Sequence, residues 1–238
     1  MMKNLKKIVI FLLAALPLCP AARAQTAAAP SPESWLIDRG YRLIRVLSEK
    51  ETKPRYVGLR RLAAEVFDQN EMPRLAMGRY WRELTPKQQA DLKFLFFDYF
   101  VVMYGTTSWD LSDAKLKVTD KKPSGRDILL KVAVDTNGKF QLPAADGKNA
   151  ADTAKPDENT LELMFALRET PAGFYIRDVK VVGQSVLMFL RSHLEKEYQT
   201  AAMDAEKLID SMRGKINRRY RAAEDMAKAA AKPKPAAP

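Results

Sequence analysis

The stretch from Leu92 to Tyr104, Leu-Lys-Phe-Leu-Phe-Phe-Asp-Tyr-Phe-Val-Val-Met-Tyr, constrains this chain most. Thr85-Pro86 precedes it, an N-cap threonine with proline at the first helical position, and Gly105 follows as a candidate C-cap. The signals frame one helix, and from Phe94 onward Asp98 is its only charge. A surface helix keeps a polar face, whereas a helix apolar nearly all round must be surrounded. This one is therefore covered by protein, lines an apolar cavity, or does both.

The segments around it say what covers it. A helix is expected from Ser34, its candidate cap, to about Lys50, with Leu36, Ile37, Leu43, Ile44 and Leu47 at helical spacing. A second is expected over about Arg55 to Asn70, and Pro73 opens a short third segment ending near Gly78. After Gly105 the period changes to two. Strands are expected at Lys115–Asp120, Arg126–Thr136, Thr160–Arg168 and Gly173–Val182, each with alternating apolar positions. Asn137-Gly138 is a hairpin signal, and the polar stretch 139–159 reads as an insertion. Two helices follow, Ser185 to about Tyr198 and one carrying Leu208, Met212 and Ile216 with a basic end from Arg213 to Arg221. Helices, four strands, then helices describe an α+β domain: an antiparallel four-stranded sheet with helices packed on one face.

The N-terminus predicts export. Lys3, Lys6 and Lys7 precede an apolar run from Ile8 to Leu16, and Ala22-Arg23-Ala24 is a small-x-small site, the three parts of a secretory signal with cleavage near Ala24. The run is shorter than the roughly 20 residues of a spanning helix. Cys19, the only cysteine, lies inside this segment, so the mature chain would hold no disulfide and no thiol nucleophile. Residues 1–24 form the expected signal peptide, 25–32 a disordered leader, 33–218 the folded domain and 219–238 a basic Ala/Pro-rich tail. Loss of Lys3, Lys6, Lys7 and Arg23 lowers the formal charge from +11 to +7. That charge favours anionic partners, and export argues against nucleic acid.

The search for chemistry returns little. H-E-x-x-H, a phosphate-binding glycine loop and G-x-G-x-x-G are missing, no metal-ligand cluster stands out, and no cofactor is called for. His193, the sole histidine, reads as a solvated helix residue among Arg191, Ser192, Glu195 and Lys196. Gly183-Gln184-Ser185 lacks the second glycine of a nucleophile elbow, so Ser185 reads as an N-cap. Asp98 and Asp178 read as hydrogen-bonded structural carboxylates.

Two stretches carry a family resemblance. One is Met77-Gly78-Arg79-Tyr80-Trp81-Arg82-Glu83-Leu84-Thr85-Pro86-Lys87-Gln88-Gln89, continued to Tyr104-Gly105; the other is Phe174-Tyr175-Ile176-Arg177-Asp178-Val179-Lys180-Val181-Val182-Gly183-Gln184-Ser185. Together they resemble the MlaC family, also called the toluene-tolerance family of periplasmic proteins. Gln89 and Gln184 depart from its usual arginine and valine. The resemblance implies a non-enzymatic periplasmic phospholipid shuttle whose fold encloses an apolar pocket. It implies partners too: an inner-membrane MCE-domain ABC transporter complex and an outer-membrane lipoprotein–porin complex. The pocket is expected to draw Phe67, Leu75 and Trp81 from the early helices and Phe94, Leu95, Tyr99, Val102 and Met103 from the apolar helix. Leu130, Val132, Leu163, Phe165 and Ile176 would come from the sheet, and Phe189 from the helix after it. Alternatives are a carrier of another lipid such as a hopanoid, a ketosteroid-isomerase-type enzyme using Asp98 or Asp178, and a non-catalytic adaptor with a filled core.

Overall fold

The computed structural model describes residues 30–105, 111–137 and 160–230. The expected signal peptide, most of the leader, the Gly138 half of the hairpin signal and the insertion 139–159 lie outside the described residues.

Helix α1 spans Pro32–Leu47. Its cap is Ser31 and not Ser34: the Ser31 hydroxyl accepts from the Ser34 N–H at 3.2 Å, and Pro32 takes the first helical position, where no N–H is needed. Helix α2 (Thr52–Val66) and α3 (Glu71–Met77) follow, and a 3₁₀ turn, Gly78–Glu83, leads to α4, Pro86–Tyr104. The start of α4 is a complete capping box. Thr85 Oγ1 accepts from the Gln88 N–H, and Gln88 Oε1 accepts from the Thr85 N–H at 2.9 Å. Gln89 donates to the carbonyls of Trp81 (3.1 Å) and Leu84 (3.2 Å), satisfying the end of the 3₁₀ turn.

The sheet has five strands rather than four, in the order β1 (Lys115–Ser124), β2 (Asp127–Asp135), β3 (Thr160–Thr170), β4 (Gly173–Val181) and β5 (Gln184–Ser185), all antiparallel. The fifth is only two residues long, below what alternation registers. It folds back on β4 through a two-residue turn in which Val182 (φ 49°) and Gly183 (φ 78°) are both left-handed, as a tight hairpin of this kind requires. Two β-bulges interrupt the sheet, leaving Thr119 in β1 and Arg177 in β4 without a cross-strand partner. Helix α5 runs Val186–Thr200 and α6 Ala205–Ala230. The basic end of α6 continues as helix past residue 218, and Tyr220 packs edge-on against Tyr56 at 5.4 Å.

Apolar side chains form two cores. One joins α2, the 3₁₀ turn, α4, α5 and α6, centred on Leu92, Phe96, Tyr99, Val102, Leu208 and Met212. The other joins α1 and α2 to one face of the sheet, centred on Leu36, Leu130, Val132 and Leu167. Helix α4 thus lies among helices, against α6 and α2, while α1 packs on β1 and both α2 and α5 pack on β4. The apolar helix is largely buried, with eight of its residues covered from Leu92 to Val102, but not on every side.

One buried cation locks the two helices that cross this interior. Arg55 is 2% exposed. Its Nε donates to the Gly105 carbonyl at 2.9 Å and its Nη1 to the carbonyls of Glu49 and Lys50. It therefore neutralises the carbonyl end of α4 while holding the turn that starts α2. Gly105 is small for a reason: an added Cβ would lie 2.6 Å from the Val101 carbonyl oxygen and 2.7 Å from Leu59 Cδ1.

Among the described residues, no helix is long and apolar enough to cross a membrane.

Candidate lipid site

Phe67 belongs to both cores. It sits just past α2, its backbone bridging to Ile176 and its ring stacked on Phe97 at 5.9 Å. A seam between the helical and sheet cores passes this residue, and the apolar side chains along it are incompletely covered.

The sheet shows this most clearly. Across β2 and β3, Leu130 pairs with Phe165, Val132 with Leu163 and Val134 with Leu161. The β2 members are buried; their β3 partners are only half-buried, although β3 is an interior strand. On β4, Val179 and Val181 pair with Phe165 and Leu163 and are half-buried as well. An interior strand of a filled sheet–helix core buries its inward row. Here Leu167 of β3 and Ile176 of β4 are buried at one end of the sheet, and at the other end a strip made of Leu161, Leu163, Phe165, Val179 and Val181 is only half-buried. Val186 and Leu187 of α5, half-buried themselves, pack on the helical side.

The expected pocket residues divide accordingly. Phe67 packs against both cores, and Leu163 and Phe165 are half-buried against the sheet core. Leu95, Tyr99 and Val102 are buried inside the helical core with Trp81, and Met103 packs against it. Leu130, Val132 and Ile176 lie in the sheet core. Leu75 is half-buried on α3, where its carbonyl accepts from Arg191 Nη2 at 2.7 Å. Phe189 is 42% exposed at the start of α5. Phe94 faces outward, 73% exposed. It shares a stripe with Asp91 and Asp98, whose ion pairs with Arg213 (3.2 Å) and Arg60 (3.1 Å) mark the wet side of the helix.

Val179 and Val181 are missed by alternation because the bulge at Arg177 reverses parity: Ile176 and Val179 share a face although three residues separate them. Leu161, in contrast, follows directly from the period-two row.

The second motif is a clamp at the seam's edge. Asp178 Oδ1 accepts from the N–H groups of Val179 (2.8 Å) and Leu187 (3.0 Å), and Oδ2 accepts from Ser185 Oγ at 2.7 Å. Ser185 Oγ in turn accepts from the Met188 N–H at 3.1 Å, capping α5. The Asp-Val and Gly-x-Ser elements are thereby one hydrogen-bonded unit joining β4 to α5. Asp98 is likewise engaged, paired with Arg60.

A separate open groove of about 350 Å³ lies among Asp68, Glu71, Arg74, Trp81, Lys93 and Tyr175. Its charges are largely satisfied within the protein: Glu71 accepts from Tyr175 (3.0 Å), Arg177 (3.2 Å) and Arg74 (3.4 Å). It offers no continuous apolar wall. Among the described residues there is no group of three or more metal-ligating side chains.

Comparison with known proteins agrees with the motif reading. The family model described as MlaC protein matches residues 41–143. The first motif lies within that segment and the Asp178–Ser185 clamp beyond it. No curated protein matches the chain. Among solved structures, a phospholipid-binding protein from Ralstonia solanacearum in complex with a phospholipid shares the fold. The two are 11% identical, with a TM-score of 0.56, and the likeness covers 78% of this chain and 96% of that one. By its matched segment, residues 41–143, the chain is similar to the MlaC family.

Proposed function

We propose that this protein is a phospholipid carrier and not an enzyme, exported by a cleaved signal peptide to the periplasm. The observation that supports carriage above all is the half-buried inward row of an interior strand, Leu161, Leu163 and Phe165. Acyl chains complete that cover. Each methylene removed from water contributes about 0.8 kcal/mol, so two long tails supply more than headgroup contacts do. The headgroup stays outside, where the open rim leaves it hydrated. The Ralstonia solanacearum relative of the same fold binds a phospholipid, which supports the same assignment here.

The carrier then works passively. Parting of the helical layer from the strip admits or releases tails, and no covalent step is required. The partners implied by the family are an inner-membrane MCE-domain ABC transporter complex and an outer-membrane lipoprotein–porin complex, between which the protein would shuttle. The two carboxylates that an isomerase mechanism would recruit are both engaged: Asp98 holds Arg60, and Asp178 caps α5. That favours carriage over catalysis.

The test is native mass spectrometry and solvent extraction of the freshly purified mature protein, followed by incubation of delipidated protein with phospholipid vesicles. Co-purifying diacyl phospholipid at up to one molecule per chain, and its re-uptake, is expected. A polycyclic lipid in its place would redirect the assignment to another cargo. Protein that emerges lipid-free and extracts nothing from vesicles overturns it.

A further inference from the structure

His193 is not the solvated residue its neighbours in sequence suggest. It projects from α5 between two tyrosines of α4: Tyr99 Oη lies 2.9 Å from Nε2 and Tyr104 Oη 3.1 Å from Nδ1. The rings of Phe100 and Phe189 stand 5.8 and 6.5 Å from the imidazole, and Phe189 meets Tyr104 edge-on at 5.4 Å. Both ring nitrogens thus have a hydroxyl partner, and aromatic rings flank the imidazole.

A neutral imidazole fits this cluster. One nitrogen donates and the other accepts, so one tyrosine accepts from the ring while the other donates to it. An imidazolium donates from both nitrogens, so one hydroxyl must reverse, and its charge must be tolerated. The charged groups that face it come from two elements. On α5 these are Glu197, with Oε1 3.8 Å from Nε2, and Lys196; on α6 it is Lys215. Glu197 is shared: Lys215 lies 2.6 Å from its Oε2, and the carboxylate also hydrogen-bonds the Tyr99 hydroxyl. Two ammonium groups and one shared carboxylate make poor company for a third cation.

We propose that this cluster is a pH-sensitive latch: with His193 neutral it ties the C-terminal turn of α4 to α5, and protonation of His193 loosens that contact. The coupling follows from linkage, because a proton that binds the opened cluster better than the closed one shifts the population toward the open form. Burial holds the His193 pKa below its ordinary 6.5, in the same sense as the geometry. The α4 end that would move is the one leading to the sheet, and the α5 segment is the one bearing Met188 and Phe189, both exposed. The latch itself does not depend on what fills the seam.

Because His193 is the sole histidine, a single imidazole Cε1–H resonance reports its titration in the intact mature protein. Amide hydrogen exchange at pH 7.5 and 5.5, corrected for intrinsic rates, reports the contact. The expected result is a midpoint below 6.5 and several-fold loss of protection confined to Phe100–Gly105 and Val186–Leu194 at the lower pH. His193→Gln should abolish that pH dependence. Tyr104→Phe, at a half-exposed site that tolerates the change, should raise the midpoint by admitting water to Nδ1. A midpoint at or above 6.5, protection independent of pH, or a His193→Gln protein that keeps the wild-type pH dependence would overturn the proposal. So would a Tyr104→Phe midpoint identical to wild type.

Discussion

The Ser185 hydroxyl donates to Asp178 across the β4–β5 turn at 2.7 Å and in the same geometry accepts the Met188 N–H that begins α5. One carboxylate and one hydroxyl thus organise a strand end, a hairpin and a helix start. Ser185→Ala should cost about 1 kcal/mol, the usual loss for a helix cap. Asp178→Ala should cost more, about 2–3 kcal/mol, because the Val179 and Leu187 N–H groups lose their acceptor. The double variant should fall short of the sum, since the two residues share a hydrogen bond. Urea denaturation of the four proteins measures all three terms.

Val182 offers a stabilising change. A β-branched side chain at φ 49° occupies the left-handed region that L-residues enter at a cost. Val182→Gly should raise stability by about 1 kcal/mol, the strain relieved outweighing the added freedom of the unfolded chain. Thermal denaturation would register it. A lower melting temperature would mean that the half-buried valine packs more favourably than its backbone is strained.

Alkaline pH should expose the tyrosine pair. Burial, with Glu197 nearby, pushes Tyr104 up to about 12, and burial raises Tyr99 further. Both start from an unfolded value of 10.0. A raised folded pKa favours the neutral form, so this stability is fully present below pH 10 and is lost as pH climbs toward 12. Denaturation midpoints measured from pH 9 to 12 should decline, and Tyr104→Phe should flatten part of the decline. Equal slopes in the two proteins would assign the loss to other groups.

Two phenylalanines separate lipid contact from mere greasiness. Phe94→Ser removes a side chain that is 73% exposed, so stability should stay within about 0.5 kcal/mol of wild type and lipid uptake should be unchanged. Phe165→Ser places a hydroxyl on the half-covered strip and should reduce phospholipid recovered per chain several-fold while leaving the fold, followed by circular dichroism, intact. Equal uptake by both variants would remove the strip from the site.

Much of the architecture is legible without coordinates because local chemistry dictates it. Thr85-Pro86 is a helix start in sequence that becomes a full capping box with Gln88 in space, and Gly183 before Ser185 announces both a tight turn and a cap. Period-two rows at Leu130–Val134 and Leu161–Leu167 locate a one-sided sheet. The site is less legible. Phe94 and Leu95 look interchangeable in a run of apolar residues, and only the ion pairs at Asp91 and Asp98 reveal which side of the helix is wet. The bulge at Arg177 likewise leaves no mark in composition, yet it decides that Val179 and Val181 face inward. His193 reads as solvated beside its charged neighbours, and only the approach of α4 brings two tyrosines onto its ring.

By itself, the order of residues determined which stretches are helix and which are strand, which rows are apolar and that α4 must be largely covered, because caps, turns and periodicity act within a few residues. Tertiary structure alone decided what surrounds it: α2, α5 and α6 pack around α4, while the cover over the sheet buries Leu167 and Ile176 and leaves Leu161, Leu163 and Phe165 half-buried. That division depends on contacts between segments far apart in the chain, where an apolar side chain is attracted equally to a protein neighbour or to a lipid tail, and only the packing leaves Leu163 and Phe165 short of the one and open to the other.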